Sequence, residues 1–559
     1  MLYQSTRGLS PKISFAEAIV KGIADDGGLY VPERIPAVSR DFIASLAYMD
    51  YAGAAAEIIK LYTGGAGGVG DFTSGVGDFV GRGIPDAPVS LDGVGRGIPD
   101  APHDPGGFSD REILECTRYA YGKRADGIRA FVSHDDVAPL HILDENISVL
   151  ELYHGPTAAF KDVALQLLPR LLTLSLQKTG VKETVAIIVA TSGDTGKAAL
   201  EGFHDVPGAS ILVFYPKDGV SQAQKIQMVT QEGKNVAVAA VDGNFDDAQT
   251  GVKAIFADED INRRLHKHGI RLSSANSINW GRLLPQIVYY FRAYATLLRR
   301  GAIAGGEQIR FVVPTGNFGN ILAGWYARQM GLPVSRLICA SNSNKILTDF
   351  INTGVYDLNR ELTLTMSPSM DILVSSNLER LLFEASGRDA AYVRRLMGEL
   401  AHEKRYDAGG AVHKYISNFL HGGYATEKET ADAIRDTYKR YNYLIDTHTA
   451  VGMHVYRAYA KRGGDEKAVI LSTASPYKFA RDVYTSIAAE YGGDSGGVAN
   501  ACNADDELGY IDLLSAISGT AAPEALRGLR GKPVLHRTET PVINMKETAL
   551  RLLTGPGAG

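Results

Sequence analysis

From about residue 145 the chain alternates short, almost uninterrupted apolar runs with longer amphipathic ones. Val185–Ala190, Ile211–Tyr215, Val236–Val241, Phe311–Pro314 and Ala468–Ser472 lack the strict in–out alternation of a half-exposed strand. Such runs are the pattern of strands covered on both faces, as in a parallel sheet. Between them, Val163–Leu176, Leu283–Arg299 and Ile321–Met330 carry helical spacing. The alternation predicts an α/β fold whose ligands sit where strands end and helices begin.

The flanks read differently. Residues 13–62 are expected to form helices and short loops, including Ser14–Ile23 and Asp41–Tyr48. Gly64–Phe108 is rich in Gly, Pro and Asp, and it repeats itself: Gly68–Phe72 recurs at Gly75–Phe79 and Val80–Pro88 at Val94–Pro102. Glycine and proline at that density oppose a packed helix or strand, and two copies are too few for a solenoid. It reads as a flexible insertion outside the chemistry. Asp389–Tyr443 looks mainly helical, with Gly409-Gly410 and Gly422-Gly423 as breaks. The expected organisation is an N-terminal domain over 1–124 that contains the 64–108 insertion, a catalytic region over 140–500, and a C-terminal segment, 501–559, packed on it. A chain of 559 residues is too long for one core, which fits roughly two to four domains.

Composition narrows the function classes. A net charge of -5 with both signs dispersed is not a nucleic-acid footprint. Cys116, Cys339 and Cys502 lie far apart, which argues against a disulfide framework or a cysteine metal site and fits a reducing compartment. The first residues lack the apolar core of a signal peptide, and no span approaches transmembrane length. The expectation is a cytoplasmic enzyme with a small-molecule substrate, no metal, no membrane and no nucleic-acid partner, as a monomer or homodimer.

The richest chemistry lies in Glu151–Asp162, where Lys161 follows the Gly155-Pro156 turn and the residues Ala158, Ala159 and Phe160. Semi-apolar surroundings strip hydration from an ammonium and favour the neutral amine, the form that condenses with an aldehyde. A lysine whose stem merely covers a helical turn is the other reading of that segment alone. Three strand-to-helix junctions add to it: Thr191–Gly196, Thr315–Asn320 and Ser472–Phe479. Glycine there lets backbone amides converge on an anion, and the helix start behind them favours negative charge. Thr315–Asn320 reads as a phosphate cradle. A reactive lysine, two anion-friendly turns and a hydroxyl turn together describe a site for pyridoxal phosphate. Thr473 would sit beside the pyridine nitrogen as a neutral hydroxyl. That leaves the nitrogen unprotonated and more of the proton traffic to Lys161.

These residues resemble the threonine synthase family, within the fold-type II pyridoxal-phosphate enzymes. The matching pieces are His154–Asp162, Ser192–Gly196, Asn276–Arg282, Gly316–Asn320 and Ser472–Phe479, with Ser14–Ala18 and Asp26–Pro32 near the start. The resemblance implies a tryptophan synthase β-like fold: two doubly wound α/β domains with the cofactor between them, plus an N-terminal domain. It implies Lys161 as the Schiff-base lysine, Gly316, Asn317, Phe318, Gly319 and Asn320 around the cofactor phosphate, and Thr473 near the pyridine nitrogen. Thr191, Ser192, Asp194 and Thr195 are expected to hold the substrate carboxylate. Asn279 and Arg282 are candidates for the substrate phosphate, because a guanidinium fork suits a phosphoryl group.

The implied reaction is the conversion of O-phospho-L-homoserine and water to L-threonine and phosphate, by γ-elimination and addition of water at Cβ. Alternatives are a related phospho-lyase that releases 2-oxobutyrate and ammonia, and a silent cofactor-binding protein. Ser475 departs from the pattern, since many relatives carry His there. His154, beside Gly155 and Pro156, reads either as a contact to cofactor or substrate or, in preference, as a turn residue bonded to backbone. The segment around His448 reads as a helix start capped by Thr447 or Thr449.

Overall fold

The computed structural model describes residues 1–64, 107–123, 131, 134–191, 193–218, 220–463, 466–488 and 507–555. Nearly all of the repetitive insertion, residues 65–106, lies outside the described residues.

Two sheets organise the chain. The first runs, edge to edge, through Leu420–Tyr424, Val334–Ser341, Ile309–Pro314, Ala468–Ser472, Ile147–Glu151 and Leu140–Ile142. Only its last pairing is antiparallel. The second runs through Thr538–Pro541, Val236–Asp242, Ala209–Pro216, Thr184–Ala190 and Ile270–Ser273, and all its pairings are parallel. Each apolar run marked as a buried strand is one, extended by at most two residues at either end. Helix Trp280–Arg299 is buried along its length from Trp280 to Leu297. That is the environment of a helix apolar on nearly every face.

Several elements differ from the sequence expectation. The single helix over Val163–Leu176 is two, Lys161–Leu165 and Leu168–Thr179. Pro169 opens the second, where its missing N–H costs nothing. Near the N-terminus, Leu2–Ser5 pairs with Ile13–Ser14 and Tyr30–Pro32 in a small antiparallel sheet, so that region is not purely helical. Gly422-Gly423 does break the helical stretch, but as part of a strand, Leu420–Tyr424, rather than as a loop. A Cβ on Gly422 would meet the Thr348 backbone at 3.0 Å, and one on Gly423 would meet Val455 at 2.6 Å. Gly409 opens a helix, Gly409–Ser417, at φ 75. The C-terminal strand Thr538–Pro541 extends the second sheet, and helix Met545–Thr554 covers one of its faces. Among the described residues no helix is long and apolar enough to cross a membrane.

The closest approach near the lysine is made by glycine. Helix Asp194–Phe203 lies against Lys161–Leu165, and a Cβ at Gly202 would fall 2.0 Å from the Leu165 carbonyl oxygen. A residue without a side chain lets the two helices meet.

Candidate active site

The carboxyl ends of both sheets face a cavity of about 870 Å³. Lys161, Thr191, Thr195, Arg282, the turn Gly316–Asn320 and Thr473 all line it. Residues separated by three hundred positions in sequence therefore share one chamber, as expected where strands hand over to helices.

The lysine turn is tied to the hydroxyl turn by backbone. The Phe160 amide donates to the Thr473 carbonyl at 2.8 Å, the Ser475 amide donates to the Ala158 carbonyl at 3.1 Å, and Ala159 bridges Ala474. Ala158 is held at φ 58, a left-handed conformation that costs a residue with a Cβ about 1 kcal/mol or more. Beneath the turn, the fully buried Asp162 accepts from the Thr157 amide at 2.8 Å and its hydroxyl at 2.7 Å. Burial pushes the Asp162 carboxyl up to about 6 against those bonds. Gly155 is required here, because any Cβ would lie 2.5 Å from Asp162.

Lys161 keeps 12% of its side chain exposed. Its Nζ lies 3.4 Å from Ser369 Oγ and 3.6 Å from Asp194 Oδ2. Burial pulls its pKa down to about 8; Asp194 opposes that shift, while Lys478 and Arg282 reinforce it. The resulting amine is partly neutral near physiological pH, as the sequence context implied. Asp194 binds Lys478 Nζ at 2.8 Å through Oδ1. Burial alone would raise the Asp194 carboxyl, but Lys478 and then Lys161 hold it far below the usual range.

The glycine turn has donors left over. Phe318, at φ 64, precedes helix Gly319–Gln329. The outward carbonyls are taken: Ser375 Oγ donates to Gly316 O at 2.8 Å, and the Asn377 amide to Asn317 O at 3.2 Å. Asn320 Nδ2 and Arg282 Nε are both buried without a hydrogen-bond partner. Unpartnered buried donors are costly and usually await a ligand. Two of them on the wall of one cavity, beside a helix start, fit an anionic, phosphate-bearing group. Arg282 is itself buried, and desolvation lowers its pKa to about 10, so it stays charged at neutral pH. It is not a surface ion-pair residue.

Other expectations change. Asn279 does not reach the cavity: Nδ2 donates to Ile19 O at 3.0 Å and Ser274 O at 3.1 Å, and Oδ1 caps Gly281. Its amide joins helix Phe15–Lys21 to the start of helix Trp280–Arg299, which leaves nothing for a substrate phosphate. Asp194 is not among the cavity-lining residues, and a carboxylate bound to Lys478 does not attract another carboxylate. Thr191 does face the cavity, while its Oγ1 accepts from the Gly193 and Gly196 amides at 3.0 and 2.9 Å. Ser192 lies outside the described residues. Ser475 is buried off the cavity and caps the turn Pro476–Phe479. His154 Nε2 lies 2.7 Å from the Glu151 carboxylate, a side-chain partner.

Three residues with a place at the lysine were missed. The helix starting at Thr447 is capped by Asp446, not by Thr447 or Thr449, and His448 faces the cavity. Ser369 and Lys478 reach Lys161 and Asp194 from distant loops. Lys478 stood inside a quoted motif, but nothing local distinguishes a buried lysine from an exposed one. For Ser369 the sequence carries no signal.

Comparison with known proteins agrees with this arrangement. The family model described as "Threonine synthase N terminus" matches residues 2–71, "Pyridoxal-phosphate dependent enzyme" matches 138–474, and "Threonine synthase, C-terminal" matches 449–503. Threonine synthase from Pseudomonas aeruginosa is 39% identical over 479 residues, covering 86% of this chain and 89% of that protein. The chain belongs to the threonine synthase family of pyridoxal-phosphate-dependent enzymes. Among solved structures of the family, the pyridoxal-phosphate-bound threonine synthase from Brucella melitensis superposes with a TM-score of 0.78 at 34% identity, covering 99% of this chain and 100% of that one. The yeast threonine synthase gives 0.77 at 30% identity, with 99% and 98% covered. The family's fold-type II architecture is the one described above.

Proposed function

We propose that this chain converts O-phospho-L-homoserine and water to L-threonine and inorganic phosphate, with pyridoxal phosphate as cofactor and Lys161 as its attachment point. The observation that carries the reading is the shared cavity. A desolvated amine, a helix-start turn whose Asn320 Nδ2 has no partner, and a buried arginine with an unpartnered Nε all line it. When bound, pyridoxal phosphate supplies an aldehyde for the amine and a conjugated ring that takes up the electron pair left at the substrate α-carbon.

The chain's own residues do the rest. In this reading the backbone at Gly316, Asn317, Phe318 and Gly319, with the Asn320 side chain, holds the cofactor phosphate. Thr473, which lines the cavity, would supply a neutral hydroxyl for the pyridine nitrogen. Thr191 and Thr195 take the substrate carboxylate, and Arg282 takes the substrate phosphate. Lys161 moves protons at the α- and β-carbons, since an amine with a pKa near neutrality serves as base in one step and acid in the next.

The test is an assay of purified protein with phosphohomoserine, following phosphate and threonine. Equal yields of the two are expected. Phosphate accompanied by 2-oxobutyrate and ammonia would replace this reading with the lyase, and no turnover despite bound cofactor would leave a silent binder.

A further inference from the structure

Asp194 is the acid paired with Lys161 among the described residues, and a buried carboxylate that close would ordinarily hold an ammonium charged. Here the carboxylate is already occupied. Oδ1 binds Lys478 Nζ at 2.8 Å and Gln224 Nε2 at 2.9 Å, and Oδ2 accepts from Ser369 Oγ at 3.0 Å. Lys161, at 3.6 Å, is the most distant of these partners. The Lys478 side chain is wholly buried and donates as well to the Thr157 carbonyl at 2.8 Å, which fixes it against the lysine turn.

Ser369 is fixed with equal care. Its amide donates to His448 Nε2 at 3.2 Å. An amide only donates, so Nε2 carries no proton, and Nδ1–H donates to Asp446 Oδ2 at 2.8 Å. The same loop is pinned by the buried Asp371, which accepts from Asn342 at 2.7 Å, Asn344 at 2.9 Å and the Thr365 amide at 2.9 Å. With its proton directed at Asp194, the Ser369 hydroxyl offers a lone pair to Lys161. The charged groups facing Lys161 are then Asp194, Lys478 and Arg282, with His448 behind Ser369. Two fixed cations outnumber one anion.

We propose that Lys478 and Ser369 are positioning residues that keep Asp194 engaged, so that its pairing with Lys161 stays long and weak and the lysine stands ready as a free amine. The proposal rests on the reading of Lys161 as the cofactor-binding amine. Lys478 acts through Asp194; Ser369 acts through Asp194 and also accepts from Lys161 Nζ at 3.4 Å.

The test is the pH dependence of Lys161 acetylation in the full chain freed of cofactor, read by peptide mass spectrometry. Lys478→Met leaves Asp194 with Lys161 as its cation, and the labelling midpoint is expected to rise by about 1 to 2 pH units. Lys478→Arg, which keeps the charge, is expected to hold the native midpoint. Asp194→Asn is expected to lower it, and Ser369→Ala to raise it by less than Lys478→Met. An unchanged or lowered midpoint in a folded Lys478→Met variant overturns the proposal. If that variant does not fold, an unchanged midpoint in Ser369→Ala does so. Borohydride trapping of pyridoxal phosphate on wild-type Lys161 tests the parent reading separately, because the labelling midpoint requires neither cofactor nor turnover.

Discussion

Lys161 faces two opposed requirements: a buried amine must lose its proton to react, yet a nearby carboxylate favours keeping it. Burial prevails, and the amine titrates near 8 rather than 10.5. Because the neutral form is the nucleophile, the rate at which cofactor-free protein takes up pyridoxal phosphate should climb with pH and level off above about 8, as stopped-flow absorbance would record. A rate that falls through this range would contradict the assignment. Lys161→Ala should lose turnover by roughly 10³-fold or more, the scale of removing a general base, together with the protein-bound cofactor absorbance. Arg282→Gln should raise KM for phosphohomoserine about 10- to 100-fold, since a bond to a charged group is worth about 1.5–3 kcal/mol. At this scale the sequence was informative where the chemistry is written into neighbours, as at Lys161 and Gly316–Asn320. Asn279 shows the limit: its motif suggested a ligand for the substrate phosphate, but its partners reveal that both ends of the amide are occupied.

The strands were legible because burial on both faces leaves an unbroken apolar run, a signal carried by the residues themselves. Short edge strands such as Tyr30–Pro32 and Leu420–Tyr424 lacked that signal, since their identity comes from a partner elsewhere in the chain. Helix contacts were equally hidden. Gly202 looks like an ordinary helix-interior glycine, worth about 1 kcal/mol to replace with alanine. The approach of Leu165 O reverses that expectation. Gly202→Ala should destabilise the protein by about 1–3 kcal/mol through overpacking and displace the helix that begins at Lys161. Thermal unfolding and cofactor affinity would both register the change. A variant as stable as the parent would mean that the helices separate at no cost.

Across the whole molecule, the second sheet is completed from the far end of the chain. Strand Thr538–Pro541 forms its edge, and Met545 and Leu550 are buried with Val241, Val252 and Ile255. Truncation after Leu535 should therefore be severe. Burying a Met or Leu side chain contributes roughly 1.5–3 kcal/mol each, against a total stability of about 5–15 kcal/mol. A lowered Tm and aggregation of the truncated chain are expected in a thermal scan, and an unchanged Tm would refute the packing role. By itself the sequence determined the strand-and-turn order, the reactive lysine and the glycine turn, because each depends on residues adjacent in the chain. Tertiary structure alone decided that Ser369, Lys478 and His448 belong beside Lys161. A hydroxyl, an ammonium or an imidazole acquires its role from the groups it meets, and those groups come from segments that only the folded chain brings together.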